Sequence, residues 1–138
     1  MKSHIIGVSS KRRVQRRRQL GAASSIKRRL MSCHLNAALR KTHNLRSLPI
    51  KRGDVVKILK GKDKGKSGKV TQVYRKRNVI YVDKVSREKQ NGQTVFTPIR
   101  PCHCVIEKLM MNKDREETIK RRVAEKIKKQ GKHNEIKE

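Results

Sequence analysis

The chain has 138 residues, of which 39 are Lys or Arg and 11 are Asp or Glu, so its formal net charge is +28 at pH 7. Self-repulsion at this charge disfavours an ordinary cytosolic enzyme and is typical of a chain that a polyanion neutralises. Only 33% of the residues are apolar, which excludes a large core, and no apolar run is long enough for a membrane-spanning helix or a secretory leader.

The charge is unevenly distributed along the chain. Residues 1–50 contain 13 Lys or Arg and no Asp or Glu, residues 51–110 contain 16 and 5, and residues 111–138 contain 10 and 6. An acid-free polycation is typical of a segment that lies along phosphates, and equally of a solvated, disordered arm. Both interpretations hold if the segment orders on binding, so we expect free residues 1–48 to be largely disordered.

The first 44 residues predict an arm followed by two short helices. Residues 9–20 contain two basic triplets without apolar periodicity, which predicts an extended arm suited to RNA binding or nuclear import rather than a mitochondrial leader. Ser24 or Ser25 is expected to cap one helix and Ser32 a second, which ends at Asn44. Residues 45–49 then form an extended connector.

From Gly53 onward the apolar period changes to two, which predicts strands. Tight turns separate the strands, a Lys/Gly turn at 61–68 and an Asn-Gly turn at 91–92. Five short strands with such turns predict a small antiparallel barrel. The predicted strands are residues 54–60, 69–75, 79–85, 94–97 and 104–108.

Beyond Met111 a helical pattern returns, with Ile119, Val123 and Ile127 spaced four residues apart. This narrow apolar stripe predicts a helix that faces solvent around most of its girth and frays over residues 130–138. The predicted organisation is a basic extension with short helices at 1–48, a barrel at 49–110, and a C-terminal helix and tail at 111–138.

The cysteines and histidines predict neither a disulfide framework nor a metal site. Three cysteines without a secretion signal disfavour disulfides, and Cys102-His103-Cys104 does not match the spacing of structural zinc ligands. On a strand, alternation would place His103 opposite the two thiols. We expect free thiols, no catalytic residues, no metal and no cofactor.

One stretch imitates a nucleotide-binding loop. Gly65-Lys66-Ser67 resembles the end of a P-loop, but the required earlier glycine is replaced by Lys60, and a strand rather than a helix is expected next. The glycines instead allow a short turn with positive φ, which lysines surround and which can dock on a phosphate backbone without reading bases.

Residues 51–70, KRGDVVKILKGKDKGKSGKV, resemble the KOW motif of ribosomal and transcription-elongation proteins. The likeness extends to LPIKRGD at 48–54, QVYRKRNVIYV at 72–82 and VSREKQNG at 85–92. Over about residues 9–114 the chain resembles the eukaryotic-type large-subunit ribosomal proteins with a single KOW domain, counterparts of the bacterial protein that initiates subunit assembly. The resemblance implies an SH3-like (KOW) barrel, a mainly β fold, binding to the 5′ domain of large-subunit rRNA and a position beside the polypeptide exit tunnel.

Three aromatic residues are too few for the stacking platforms of single-strand readers, so we expect phosphate and shape contacts from Lys and Arg. Tyr81, in an apolar strand, is expected in the core, and Tyr74 is the candidate for a base or sugar contact. The predicted rRNA-binding residues are Lys11, Arg12, Arg13, Arg16, Arg17, Arg18, Lys27, Arg28, Arg29, Lys51, Arg52, Lys60, Lys62, Lys64, Lys66, Lys69, Tyr74, Arg75, Lys76, Arg77, Arg87 and Lys89.

The leading hypothesis is a non-enzymatic constituent of the cytosolic large subunit that passes through the nucleolus during assembly. Its expected partners are large-subunit rRNA and neighbouring proteins at the exit-tunnel rim, with no membrane and no small-molecule substrate. A KOW-containing transcription-elongation factor is the alternative, although that class carries an α/β domain where this chain has an acid-free arm. A general nucleic-acid condenser, which the charge alone suggests, would need no barrel.

Overall fold

The computed structural model describes the backbone of residues 9–135 and the side chains of residues 9–128. The elements in chain order are α1 (Arg12–Leu20), α2 (Ser24–Leu30), β1 (Ser32–Leu35), α3 (Ala37–His43), β2 (Ser47–Pro49), β3 (Val55–Ile58), β4 (Ser67–Tyr74), β5 (Val79–Val82), β6 (Ser86–Glu88), β7 (Thr94–Phe96), a 3-10 turn (Pro101–His103), β8 (Cys104–Lys108) and α4 (Lys113–Glu135).

Six strands form one sheet in the order β2-β1-β8-β3-β4-β5, and β6 and β7 form a separate hairpin. The pairings are antiparallel except for β1 with β8, which is parallel. Ile80 on β5 also bridges to Ile99, which brings the chain back across the edge of the sheet. The predicted fold class, mainly β and barrel-like with flanking helices, is confirmed.

The core is aliphatic and draws on both ends of the chain. Leu35 from β1, Val56 from β3 and Ile106 from β8 are fully buried, and Ile119 from α4 is 7% exposed. Alternation along β3 buries Val56 and Ile58, as the period-two pattern predicts. The small core therefore depends on residues outside the predicted barrel segment as well as within it.

The N-terminal helices differ from the sequence prediction in three ways. Residues 12–20 form a helix and not an extended arm, because Arg, Gln and Leu are good helix formers even when no residue of α1 is buried. The second helix begins later than expected, because the side chain of Asn36, not Ser32, caps α3. The predicted cap at Ser24 or Ser25 is wrong, because both residues lie inside α2 and Ala23 precedes the helix without a side-chain cap. Asn44 ends α3 in the left-handed region, as predicted.

Residues 31–48 are folded, so the expectation of disorder over residues 1–48 is wrong for this part. Ser32 lies in β1, where Cys33 and Leu35 point into the core, and Leu48 on β2 is 1% exposed. The presumed connector at 45–49 thus contains a strand paired with β1. The alternation of buried and more exposed residues in β1 spans only four residues of a strongly basic region, so the sequence did not indicate a strand there. The organisation into 1–48, 49–110 and 111–138 stays a prediction, and residues 1–8 lie outside the described part.

The strands after Gly53 follow the predicted order: β3, β5 and β7 are shorter than predicted, β4 begins two residues earlier, and β8 has the predicted bounds. Val70 and Val73 both contribute to the core despite their odd spacing, because a bulge between Val70 and Gln72 restores the alternation. β5 ends at Val82, because Lys84 adopts a φ of 65° in the following turn. β6, which no sequence pattern predicts, pairs with β7 across the Asn-Gly turn.

Helix α4 is longer than predicted, since it continues through Glu135 where we expected fraying from residue 130. Residues 136–138 lie outside the described part. Ile119 is buried and Val123 packs against the core, whereas Ile127 is 57% exposed, so the helix faces solvent over most of its described surface. Across residues 9–135, no helix combines the length and apolarity needed to cross a membrane.

Candidate nucleic-acid interface

A buried ion pair fixes the frame that carries the basic residues. The guanidinium of Arg115, at the start of α4, forms a two-pronged pair with the carboxylate of Asp54, with a distance of 2.9 Å between Nη2 and Oδ2. Asp54 also accepts from the backbone N–H groups of Lys51 and Met110, both at 2.9 Å. Arg115 further donates to the carbonyl of Pro49. The pair thereby fastens α4 to the start of β3 and the ends of β2 and β8.

The predicted Lys/Gly turn between β3 and β4 is a solvent-exposed cluster of ammonium groups. Gly61 and Gly65 have φ of 107° and 91°, values that a side chain would strain, and this confirms the role predicted for them. Lys66 pairs with Asp63 at 2.7 Å. The turn leads into β4, not into a helix, which excludes the P-loop interpretation. All five lysines around it are exposed: Lys60, Lys62, Lys64, Lys66 and Lys69.

Gly68 serves a different purpose from the turn glycines. A Cβ at this position would lie 2.5 Å from the carbonyl oxygen of Asp83 and 2.8 Å from Cγ1 of Val82. No side chain fits without displacing the backbone after β5. The glycine allows β4 to approach this segment closely, and it fixes the root of the lysine-rich turn against the sheet.

The turn between β4 and β5 is the second basic cluster, and it faces the N-terminal helix. Arg77 stands over the ring of Tyr74, with 5.6 Å between Cζ and the ring centroid. Arg77 also borders a cavity of about 560 Å³, which Arg12 and Arg16 of α1 and Arg100 line from other sides. Arginine side chains of α1 and of the β4–β5 turn therefore line the same cavity.

Asn78, at the end of the same turn, has a φ of 55° and lines the same cavity. Its Oδ1 is buried and has no hydrogen-bond partner among the described residues. The left-handed conformation is one that Asn tolerates better than most residues, so Asn78 suits the end of this turn.

A third group of cations surrounds the start of α4. Asp114 accepts from Nζ of Lys51 at 2.8 Å and lies 3.7 Å from Arg28. The hydrogen bond from Lys51, helped by its charge, holds the pKa of the Asp114 carboxyl below its usual value. Arg75 donates to Oγ of Ser24 at 3.1 Å, which links α2 to the turn after β4. Lys51 and Arg28 are thus partly engaged within the protein.

The remaining predicted residues lie on α1, on α2 and on the β6–β7 hairpin. The Arg side chains of α1, and Lys11 just before it, are exposed, and no residue of this helix is buried. On α2, Lys27 and Arg28 are half-buried and Arg29 is exposed, while Arg87 and Lys89 project from the hairpin. The exposed group at α1 is Lys11, Arg12, Arg13, Arg16, Arg17 and Arg18.

The structure unites some of these clusters and separates others. Three cavities adjoin one another on the surface, because the first and second share Arg77 as a lining residue and the second and third share Arg52. Together they extend from α1 past the β4–β5 turn and the outer face of β4 to the start of α4. We call this continuous surface the basic face. The β3–β4 turn lies at the opposite end of β4, an eight-residue strand of roughly 25 Å. The predicted contact residues therefore lie in two separate regions, with Lys76 in the first and Lys62 in the second.

Sequence reasoning misplaced Tyr81 and missed several residues. Tyr81 is half-buried on the outer face of the sheet, where it lines a cavity, so its expected place in the core is wrong. Its neighbours Ile80 and Val82 fill the core instead. Arg100 and the pair of Asp54 with Arg115 carried no recognisable local signal, because only the tertiary fold brings them to their partners.

The cysteines are free thiols in unlike settings. Cys33 and Cys104 are buried, and burial is the main cause that raises their pKa values to about 12 and about 11. Cys102 is exposed in the 3-10 turn rather than on a strand, so it does not share a face with Cys104 as expected. Within the described residues, no three His, Cys, Asp or Glu side chains are grouped to hold a metal ion.

Comparison with known proteins identifies the family. Residues 9–122 match the family of eukaryotic ribosomal proteins L26 and their archaeal counterparts. The chain is 43% identical over 115 residues to large ribosomal subunit protein uL24 of Schizosaccharomyces pombe, covering 83% of this chain and 91% of that protein. It is 44% identical over 109 residues to uL24 of Littorina littorea, covering 78% and 76%. The chain therefore belongs to the ribosomal protein L26 family, whose members are structural, non-enzymatic constituents of the large ribosomal subunit.

Proposed function

We propose that this chain binds the 5′ domain of large-subunit rRNA through phosphate and shape contacts and that it takes part in early subunit assembly. The observation that carries the proposal is the excess of unpaired cations at the predicted sites. Of the 21 Lys and Arg predicted to contact rRNA, Arg28, Lys51 and Lys66 lie within 4.0 Å of a carboxylate of the described residues, and 18 do not. Such a surface needs a polyanion outside the chain.

The two contact regions suit different elements of an RNA backbone. Helix α1 offers planar guanidinium groups, which can donate two hydrogen bonds to one phosphate and hold their hydration weakly. The β3–β4 turn offers compact ammonium groups on a glycine turn, which contribute charge with little geometric demand. Neither region presents a donor set arranged to distinguish bases, so affinity is expected to follow backbone geometry more than sequence.

Binding also compensates for the small core. A small domain buries a smaller fraction of the surface that its unfolded chain exposes than a large domain does, and its stability alone is correspondingly marginal. A partner that binds only the folded chain stabilises it by mass action. The RNA is therefore expected to stabilise the protein that it recruits, which suits a component that joins early in assembly.

The family resemblance supports the finer location. We propose a position at the rim of the polypeptide exit tunnel with neighbouring large-subunit proteins as contacts, in the cytosolic ribosome after nucleolar assembly. No small-molecule substrate and no membrane contact are part of this proposal.

Co-sedimentation after a high-salt wash tests the proposal. We expect the tagged chain to remain with the large subunit and to protect nucleotides of the 5′ domain from chemical probing. Co-purification with RNA polymerase, or loss of the chain from the subunit at moderate salt, would contradict it.

A further inference from the structure

The three aromatic residues of the chain lie around one cavity. Tyr74, Tyr81 and Phe96 are its only Phe, Tyr or Trp, and they are separated by up to 22 positions in sequence. All three line an open cavity of about 730 Å³ on the outside of the sheet. A chain so poor in aromatic residues would be expected to use them in its core, where a large apolar side chain stabilises most.

Strand register explains how the aromatic residues gather. Gln72 on β4 pairs with Tyr81 on β5, and Tyr74 pairs with Val79, so these four side chains share the outer face. The intervening Val73 and Ile80 face the core. The bulge after Val70 sets this alternation. Without that extra residue, a strict two-residue period from Val70 would turn Gln72 and Tyr74 toward the core.

The hairpin of β6 and β7 supplies the third ring. Phe96 at the end of β7 is 51% exposed although it is the largest apolar side chain of the molecule. Val95 beside it also lines the cavity. An exposed phenyl ring next to two half-buried phenol rings is an apolar surface that a ligand can cover.

The charges around the cavity indicate what that ligand is. Arg52 and Arg77 border it, no Asp or Glu is among its lining residues, and Arg77 already stands over the ring of Tyr74. The exposed amide of Gln72 is free to meet the polar edge of a base, whereas the hydroxyl of Thr71 already donates to the carbonyl of Tyr81. Rings with flanking guanidinium groups match a nucleotide, which has a flat base and an anionic phosphate.

We propose that this aromatic cleft, formed by Tyr74, Tyr81 and Phe96 with Arg52 and Arg77, stacks one unpaired nucleotide of the bound RNA. The inference rests on the proposed rRNA-binding function and deepens it. Phosphate contacts along the basic face hold the RNA regardless of sequence, and the cleft selects a place where a base is free to leave its stack. The cleft thereby determines where along the RNA the protein binds, which phosphate contacts from lysine and arginine alone do not.

Two RNA probes test this inference on the full chain. One is a fully paired 16-base-pair RNA duplex, and the other is the same duplex with a four-nucleotide single-stranded extension. For the unmodified protein we expect the extension to raise affinity about tenfold, a value within the range for one base stacked on an aromatic side chain. The chain contains no Trp, so its fluorescence comes from tyrosine. This fluorescence should be quenched when the extended probe binds and not when the plain duplex binds.

The variant Phe96→Leu keeps an apolar side chain and removes the ring. We expect it to lose most of the tenfold gain, to bind the plain duplex as before and to keep the same salt dependence. Phe96→Tyr should restore the gain. Ile127→Ala is the matched control, because Ile127 is an exposed apolar residue far along α4 and is 57% exposed. A cooperative unfolding transition in urea, measured for each variant, reports that the protein is folded.

The outcomes separate this inference from the function on which it rests. If the unmodified protein binds neither probe, the RNA-binding function itself fails. If it binds the duplex but gains nothing from the extension, or if Phe96→Leu keeps the gain, the cleft proposal is overturned and a neighbouring protein becomes the better occupant.

Discussion

Arg115 and Asp54 lie 61 positions apart in sequence and form a buried pair in which the side chains are 3% and 0% exposed. Four donors converge on the Asp54 carboxylate, two from Arg115 and two from backbone N–H groups. The desolvation of each charge is thus offset by several hydrogen bonds, which is the condition under which a buried ion pair is tolerated. The pair fixes the start of α4 against the sheet. It thereby also positions Asp114 between Arg28 and Lys51.

Removing Arg115 should be strongly destabilising. Arg115→Met leaves the carboxylate of Asp54 buried without its countercharge, and we expect the free energy of unfolding to fall by about 3–5 kcal/mol. Urea denaturation measures it. Arg121→Met, an exposed position on the same helix, is the matched control and should change stability by less than about 0.5 kcal/mol. A loss below about 1 kcal/mol for Arg115→Met would show that the pair does not hold the helix.

The sequence predicted those features that repeat locally. Alternation identified β3 and β8, the Asn-Gly pair identified the β6–β7 turn, and the glycines identified the lysine-rich turn. The dense charge of residues 1–48 concealed β1 and β2, because Cys33 and Leu35 alternate over only four residues. The aromatic cleft and the Asp54 pair depend on residues that the fold brings together from distant positions, so no window of sequence contains them.

Gly68 should resist replacement for a steric reason. Gly68→Ala would force a Cβ against the carbonyl oxygen of Asp83, and we expect a loss of about 1–3 kcal/mol in the free energy of unfolding. Ser67→Ala, an exposed neighbour, serves as control and should be nearly neutral. Thermal denaturation compares the two. Equal melting temperatures for both variants would mean that β4 does not approach the segment after β5 as closely as described.

The thiols should differ sharply in reactivity. Cys102 is exposed, whereas burial raises the pKa of Cys33 to about 12 and of Cys104 to about 11. At about pH 8 we expect iodoacetamide to modify Cys102 alone in the folded protein and all three thiols after unfolding, as mass spectrometry of the intact chain would show. Rapid modification of Cys33 without denaturant would contradict its burial.

The same two thiols predict a loss of stability at alkaline pH. Their folded pKa values lie above the ordinary value of 9.0, so the unfolded chain releases these protons first as pH rises. Their contribution is complete below about pH 9 and declines between about pH 9 and pH 12. Cys33→Ser tests the assignment, since it removes one of the titrating thiols and should flatten the decline of the urea midpoint over this range. An unchanged decline would assign it to other groups.

The two turns should bind RNA without regard to sequence. We consider a variant in which Gln replaces five residues at once: Lys62, Lys64, Lys66, Lys76 and Arg77. It is expected to bind unrelated RNA duplexes more weakly by the same factor, because these side chains contact phosphates. Filter binding with three duplexes of different sequence measures it. Weaker binding to one sequence alone would contradict recognition of the backbone.

The arginines of α1 are expected to hold rRNA through its phosphates. Truncation at Leu48 would also remove β1, so the sharper variant keeps the fold and replaces Arg12, Arg13, Arg16, Arg17 and Arg18 with Gln, none of which α1 buries. Binding to 5′-domain rRNA is measured over a salt series for this variant and the unmodified chain. Each phosphate contact contributes a slope of roughly −0.9 in log K against log salt, so the slope should flatten by roughly four units. Equal slopes for the two proteins would contradict the claim and would assign attachment to the turns of the barrel.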